Sequence, residues 1–274
     1  MPVLLLLVVG WAIALSDYWK HWGLIDSPFR LTERCPLFLS VAHRRFLVSF
    51  NRLIAQKQAI LRLSAQRYVG LTTILRFLSS SNGFDGHAVQ MALSPADAST
   101  KEALLESLQQ SFQLSGKISF EDSLGDVSQR IALNESLGIQ TIWILDRPSS
   151  GSVHLATQLA AQFSSLKLMI AGMGKGLGGE RGDPQKSGDN ISLGVLSYSE
   201  TSEYIRGRLR EVGGSEDLFS RSALVSLHDY SGGKIGVVSQ LAEEAMRRAI
   251  ELQYRQVTWS VVESMLQSTN ERVA

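Results

Sequence analysis

Short apolar runs rich in branched residues alternate with helical patterns over the first two thirds of the chain. The strand-like runs lie at residues 59–63, 87–93, 140–146, 166–171 and 191–195. Amphipathic helical patterns lie between them at residues 101–113, 123–137 and 153–165. This alternation predicts a mostly parallel sheet that is covered by helices.

The pattern changes near residue 196, after which we predict helices only. Helical patterns occupy residues 199–212, 216–230, 234–252 and 258–267, separated by glycine pairs and one polar turn. The sequence therefore predicts three parts. They are an apolar segment at residues 1–16, an α/β core at residues 17–196 and a helical lid at residues 197–274.

The apolar segment has three interpretations. Residues 3–15 carry no charge, but they are fewer than the ~20 that a helix needs to cross a bilayer. As a short anchor they would hold the protein on the inner face of the membrane, because basic residues follow them. A second interpretation is a buried segment or a start-site artefact. A third is a cleaved signal peptide, but no basic residue precedes the apolar run, which argues against a signal peptide. We expect a cytoplasmic location.

Composition and charge exclude few functions. The 274 residues are 44% hydrophobic and 19% charged, which is typical of a globular protein. A net charge of +1 gives no global argument for nucleic-acid binding, although a neutral total can hide a local basic patch. A single cysteine, Cys35, excludes an internal disulfide and a cysteine-cluster metal site and fits a reducing compartment. The five histidines show no metal-ligand spacing.

One stretch has the outline of a phosphate-binding loop. A strand-like run is followed by a loop that ends in Gly70, and Thr72 and Thr73 open a helical pattern. In such loops the amides and the helix N-terminus bind phosphate, a lysine neutralises it, and a hydroxyl reaches Mg²⁺. Leu71 stands where the lysine belongs. The alternative is an ordinary strand, turn and helix.

A second stretch has the form of a Walker B strand, in which an aspartate holds Mg²⁺ through water. Residues 140–146 are an apolar run that ends in Asp146. A glutamate that polarises the attacking water would come next, and Arg147 stands there. Thr72 and Asp146 are therefore the candidate Mg²⁺ residues, and no residue is assigned a catalytic role.

Residues 197–266 resemble the lid of AAA+ ATPases of the general secretion pathway protein A type, also called ExeA type. The matching residues include Glu200-Thr201, Tyr204-Ile205, Arg208-Leu209, Phe219, Ala223, Ser231-Gly232-Gly233 and Ala249. Earlier matches are Trp22-Gly23-Leu24, Pro28-Phe29, Phe38-Leu39-Ser40 and His43-Arg44. The resemblance runs from about residue 18 to 266 and aligns Gly70-Leu71-Thr72-Thr73 with the family's Gly-Lys-Thr-Thr.

The resemblance implies a P-loop NTPase (AAA+) core with a C-terminal helical lid. It also implies ATP and Mg²⁺ as cofactors, and a role in assembling a secretion complex with a membrane partner. A protein partner and a homo-oligomer are the expected associations. A helper for DNA transposition is an alternative, since related AAA+ groups share this lid, but the near-neutral net charge argues against nucleic acid.

Three charged positions of the resembled family are replaced in this chain. The P-loop lysine is Leu71, the Walker B glutamate is Arg147, and a lid arginine falls on Gly236. Loss of one such group typically lowers the rate of phosphoryl transfer by orders of magnitude. We therefore expect inefficient hydrolysis, and Leu71 would place an apolar side chain against the phosphates. Arg67 and Lys234 are candidates to supply positive charge instead.

The glycine-rich residues 171–190 match a dinucleotide-binding pattern as a string. No helical pattern follows, and Pro184 interrupts the polar residues that do. We predict a flexible loop with a candidate role in binding a partner. Arg181 within it is a candidate inter-subunit contact.

Overall fold

The computed structural model describes residues 17–30, 37–80, 88–114, 119–172 and 191–271. The helices are α1 (Tyr18–His21), α2 (Val41–Ile54), α3 (Leu71–Ser80), α4 (Lys101–Ser111), α5 (Phe120–Ser136), α6 (Ser150–Ala160), α7 (Tyr198–Glu211), α8 (Arg221–Ser231), α9 (Ile235–Glu251) and α10 (Trp259–Glu271). The strands are β1 (Ile60–Ala65), β2 (Val89–Ser94), β3 (Gln140–Asp146), β4 (Leu166–Gly172) and β5 (Ile191–Leu193). The chain divides into an α/β unit, Val41–Gly194, and a helical unit that combines the residues before and after it.

The sheet of the α/β unit has five parallel strands in the order β2-β3-β4-β1-β5. Strand β1 lies between β4 and β5, with Ser64 opposite Gly172 and Leu63 opposite Ile191. Strand β4 separates β1 from β3. The predicted parallel α/β fold is confirmed.

Two apolar layers cover the sheet because successive strand residues point to opposite sides. Ile142 and Ile144 of β3 pack in one layer with residues of α2 and α3. Trp143 and Leu145 pack in the other layer with residues of α4, α5 and α6. The unit therefore consists of three layers, with the carboxyl ends of all five strands at one edge.

The helical unit has its own core, in which α1 and α7 to α10 contribute buried apolar residues. Arg208 of α7 is buried and holds the N-terminal segment in this unit. Its Nε donates to the carbonyl of Pro28 at 2.7 Å and its Nη2 donates to that of Arg30 at 3.2 Å. The predicted scheme grouped residues 17–40 with the α/β core, whereas the described residues of this segment pack in the helical unit.

Some helices differ from the sequence-based bounds. Helix α2 was not predicted. The single helix predicted at residues 216–230 is a 3₁₀ turn, Glu216–Leu218, followed by α8. The helix predicted at residues 153–165 begins earlier, because the Ser149 side chain caps α6 by accepting from the amide of Ser152.

Within the described residues, no helix has the length and apolar character needed to cross a membrane. Residues 3–15, the candidate anchor, lie outside that part of the chain.

Candidate functional site

The predicted strand, loop and helix around Gly70 are present. Gly70 adopts a φ of 90° directly before α3, and Tyr68 has a φ of 67°. Both values lie in the left-handed region, which glycine adopts without strain. Val69 between them is buried, and its carbonyl accepts a hydrogen bond from His43 Nε2 at 3.3 Å. The loop is therefore held on the unit by an apolar side chain and by a buried histidine of α2.

Leu71, at the position of the P-loop lysine, belongs to the core. It is the first residue of α3, its side chain is 7% exposed, and it packs in the same apolar layer as Ile74 and Leu75. The expectation that Leu71 would lie against the phosphates stays a prediction, and in this structure its side chain packs in the apolar layer instead. Its side chain stabilises the fold, and the start of α3 presents no cation at this position.

Thr72 and Asp146 are brought together, although 74 positions separate them in the chain. Thr72 Oγ1 donates a hydrogen bond of 2.7 Å to Asp146 Oδ2. Asp146 ends β3 and Thr72 follows the loop after β1, so both lie at the carboxyl edge of the parallel sheet. The two candidate Mg²⁺ residues are thus in contact, and Asp146 is buried.

Arg147 supplies a positive charge beside this buried carboxylate. Its Nε lies 3.5 Å from Asp146 Oδ1, and about half of its side chain is exposed. Its backbone has a φ of 51°, and its amide donates to the carbonyl of Ala171 at 2.6 Å. Within the described part of the chain, Asp146 Oδ1 accepts no hydrogen bond. Arg147 therefore gives Asp146 the counter-charge that a metal ion would supply.

The remaining predicted site residues are distributed over both units. Arg67 is exposed in the loop, and Thr73 is half-buried in the first turn of α3. Lys234 is the N-cap residue of α9 in the helical unit, with Gly236 in the turn that follows. Their roles at the nucleotide site stay predictions. Arg181 lies outside the described residues.

Lys167 is a partly buried cation that the sequence analysis did not single out. It stands near the start of β4, and its Nζ donates to the carbonyls of Ile54, at 2.7 Å, and Gln56. Burial lowers the pKa of its ammonium group. Because it lies at the amino ends of the strands, it does not replace the lysine missing at Leu71.

The site fits ATP with Mg²⁺ only in part. It offers loop amides, the Thr72 hydroxyl and the Asp146 carboxylate, but these two side chains already bond to each other and Asp146 is paired with Arg147. In the described regions, no group of three or more histidine, cysteine or acidic residues is arranged to hold a metal ion. The residues do not fit the phosphate-neutralising chemistry of a working P-loop, because Leu71 is apolar and buried.

The sheet order, the β1 loop and the acidic end of β3 define the fold: it is an α/β fold with the strand, loop and helix of a P-loop. No protein-family model and no curated protein matches the sequence. Solved structures do match. The ADP form of the Aeropyrum pernix ORC2 protein has a TM-score of 0.60 and 15% identity, over 89% of this chain and 73% of that chain.

Two further structures are similar to this chain. Cdc6p from Pyrobaculum aerophilum has a TM-score of 0.59 and 12% identity, over 85% of this chain and 68% of its own. Drosophila ORC bound to DNA has a TM-score of 0.56 and 16% identity, over 87% of this chain. The match spans 63% of that Drosophila chain. At these identities the likeness establishes the fold alone.

Proposed function

We propose that this chain is an AAA+-type module with an impaired nucleotide site that acts in the assembly of a protein complex. The observation that carries the proposal is the placement of Leu71. A P-loop lysine contacts the β- and γ-phosphates, whereas Leu71 packs in the core and brings no charge. Arg147 at the Walker B glutamate position gives a second reason for slow hydrolysis, because an arginine does not act as a base for water.

A weakly active ATPase that drives assembly of a secretion complex is the second candidate. It is favoured by the Thr72 and Asp146 pair, which keeps both Mg²⁺-associated residues at the carboxyl edge of the sheet. The Aeropyrum pernix ORC2 protein, a structural neighbour, has been solved in ADPNP–ADP complexes. In this chain Arg67 or Lys234 would have to neutralise the phosphates.

Calorimetric titration of the full chain with ATP and Mg²⁺ separates these functions. We expect no micromolar binding by the natural protein, because the lysine position carries no cation. Leu71→Lys should restore binding if the loop otherwise keeps its shape, since a lysine side chain is long enough to reach out of the core with its charge. Asp146→Ala in the Leu71→Lys background is the matched control, and it should remove the Mg²⁺-dependent part of ATP binding.

Binding of ATP by the natural chain at micromolar concentrations would contradict the proposal that its nucleotide site is impaired. Arg67→Ala and Lys234→Ala would then show which side chain neutralises the phosphates, and hydrolysis would be assayed as phosphate release. Binding by neither the natural protein nor Leu71→Lys would contradict the idea that Leu71 alone is responsible.

The partner and the location are also proposals. The resemblance to secretion-pathway ATPases supports a protein partner at the membrane. Residues 3–15 would anchor this chain to the inner face of the membrane. Residues 17–196 as nucleotide core and residues 197–274 as lid remain the proposed functional division. Fractionation of cells that produce the full chain or a chain lacking residues 3–15 tests the anchor, since only the full chain should sediment with membranes.

A further inference from the structure

The outer surface of α2 carries valines and arginines in alternation. One side of this helix is buried in the core of the α/β unit, through residues that include Phe46, Phe50 and Leu53. On the opposite side four exposed residues follow one another at intervals of four, three and four positions, which places them along one line of the helix. These residues form the α2 stripe: Val41, Arg45, Val48 and Arg52.

Core packing does not explain the two valines of the α2 stripe. Val41 and Val48 are 52% and 55% exposed, on the side of α2 that faces away from the sheet. Valine is also a weak helix-forming residue, because its branched side chain loses rotational freedom in a helix. Alanine, glutamate or lysine would suit a solvent-facing helix position better. The stripe therefore has the composition of a contact surface.

The α2 stripe repeats every seven residues. Val41 and Val48 are one heptad apart, and so are Arg45 and Arg52. When two helices pack along each other, branched residues at this spacing contact the partner helix, and charged residues beside them select the partner through ion pairs. The spacing of the stripe therefore matches the side of a second helix.

The surroundings of the α2 stripe are basic. Helices α2 and α3 cover the same side of the sheet and contain four arginines and no acidic residue. Helices α4 and α5 on the other side contain six acidic residues and two basic ones. In the described part of the chain, Arg44, Arg45 and Arg52 form no ion pair. Their charges are available to a negatively charged partner.

We propose that the α2 stripe binds an acidic amphipathic helix of a partner protein. Apolar residues of that helix would cover Val41 and Val48, and its carboxylates would pair with Arg45 and Arg52. The inference rests on the proposed role in assembling a protein complex, for which it names a contact surface and the chemistry of the partner. Helix α2 has 14 residues and is about 21 Å long at about 1.5 Å per residue, so the contact is small and reversible.

The valines favour a helix over two other polyanions that arginines bind. A nucleic-acid backbone would pair with the arginines, but it offers no apolar group to the exposed valines. An anionic bilayer binds a helix whose apolar face enters the lipid, whereas the apolar face of α2 is buried in the core. A partner helix with carboxylates and apolar side chains accounts for both kinds of residue in the α2 stripe.

Fluorescence anisotropy of a labelled model peptide tests the contact with the full chain in the absence of nucleotide. The probe is a helical peptide of about three heptads, with isoleucine and leucine on one side and glutamates beside them. We expect saturable binding with a dissociation constant between about 1 μM and 1 mM. The constant should rise about tenfold or more between roughly 50 mM and 500 mM salt, because the screening length falls from about 10 Å at 0.1 M to about 3 Å at 1 M.

Variants of the α2 stripe separate the ionic and apolar parts of the contact. Arg45→Glu/Arg52→Glu should weaken binding about tenfold or more, because like charges then face each other. The same variant should bind a peptide with lysine in place of glutamate, and that result would also show that the variant is folded. Val48→Ser, which changes no charge, should weaken binding of the acidic peptide about three- to tenfold through lost apolar burial.

Two controls match these changes. Arg221→Glu/Arg255→Glu makes the same change in net charge at two exposed arginines of the helical unit, and it should bind the acidic peptide like the natural chain. A peptide of the same composition in scrambled order cannot bury its apolar residues and pair its glutamates at once. It should bind about fivefold more weakly or less tightly still.

Absence of saturable binding of the acidic peptide by the natural chain at low salt would overturn the proposal. Equal binding of the scrambled peptide, or by Val48→Ser, would do so too, since the contact would then depend on charge alone. Binding of duplex DNA, anionic vesicles or a second copy of the chain through Arg45 and Arg52, without binding of the peptide, would assign the α2 stripe to that partner. Calorimetric titration with ATP is unaffected by these results, so it tests the impaired nucleotide site separately.

Discussion

Thr72 Oγ1 donates to Asp146 Oδ2 across 2.7 Å, which ties the loop after β1 to the end of β3. In a working P-loop these two side chains stand on either side of a hydrated Mg²⁺. Here they bond directly to each other, so the carboxyl edge of the sheet is held together by protein groups. The contact is therefore expected to contribute to folding stability without any ligand.

Replacement of Thr72 by valine should lower the free energy of unfolding by about 1–3 kcal/mol. The change keeps the shape of the side chain but leaves a buried carboxylate oxygen without its donor. Thr72→Ser keeps the hydroxyl and should lose less than half as much. Urea denaturation followed by circular dichroism measures both, and equal losses for the two variants would show that the hydroxyl does not matter.

Leu71→Ala should destabilise the α/β unit by about 2–5 kcal/mol, as expected when a buried leucine is truncated. Leu71→Lys should also cost stability, but less than a fully buried charge would, because the residue begins a helix next to an exposed loop. Chemical denaturation gives both values. Unchanged stability in Leu71→Ala would contradict the assignment of this side chain to the core.

Arg208→Ala should cost about 1.5–3 kcal/mol in the helical unit. The substitution removes the buried charged donor to the carbonyls of Pro28 and Arg30. Arg210→Ala is the control, since Arg210 pairs with Glu216 at the exposed surface and should cost less than about 1 kcal/mol. Similar losses in thermal stability for both would refute the role given to Arg208.

Gly233→Ala should be more damaging than Gly232→Ala by about 1–3 kcal/mol. Both glycines have positive φ values, 58° at Gly232 and 69° at Gly233, so both substitutions strain the backbone. A Cβ at Gly233 would also collide with the carbonyl oxygen of Leu196, whereas one at Gly232 meets nothing within 4 Å. Denaturation midpoints compare the pair, and equal midpoints would contradict the close approach.

Alkaline pH should weaken the helical unit through Tyr204. Burial raises the pKa of this phenol from 10.0 to about 12, and its hydroxyl bonds to Ser239 at 2.7 Å. The pKa of Tyr204 is higher in the folded state than in the unfolded state. Tyr204 therefore makes its full contribution to the free energy of unfolding below pH 10, and this contribution is lost as the pH rises towards 12. The loss is about 2–3 kcal/mol at 1.36 kcal/mol per pKa unit.

Denaturation at several pH values tests this expectation. The free energy of unfolding of Tyr204→Phe should fall less steeply between pH 10 and 12 than that of the natural chain. An identical slope would show that Tyr204 does not carry the effect. Tyr18, whose pKa burial also raises to about 12, should account for part of the remaining slope.

The sequence predicted best those parts of the fold in which burial leaves a recognisable pattern of apolar residues along one short segment. Residues 140–146 form a strand with the predicted bounds, because a parallel strand covered on both sides is a continuous apolar run. The helix predicted at residues 216–230 failed at Phe219, which is extended and forms a bridge with Val257. That pairing joins residues distant in sequence, and no local pattern contains it.

The candidate site shows the same limit. The sequence placed Leu71 at the lysine position and identified Thr72 and Asp146 as the candidate Mg²⁺ residues, but it did not give the direction of the Leu71 side chain. That direction follows from the packing of α3 on the sheet. Arg147 was recognised as a replaced glutamate, while its ion pair with Asp146 depends on a positive φ that an arginine rarely adopts.

The contact between Arg208 and Pro28 sets the order in which the chain can finish folding. The two residues are 180 positions apart, so at about 5–20 residues per second a ribosome needs roughly 10–40 s to make the second after the first. The α/β unit, Val41–Gly194, is complete within that interval. The segment around Pro28 is therefore made before the α/β unit, but it reaches its contact with Arg208 only after that unit is complete.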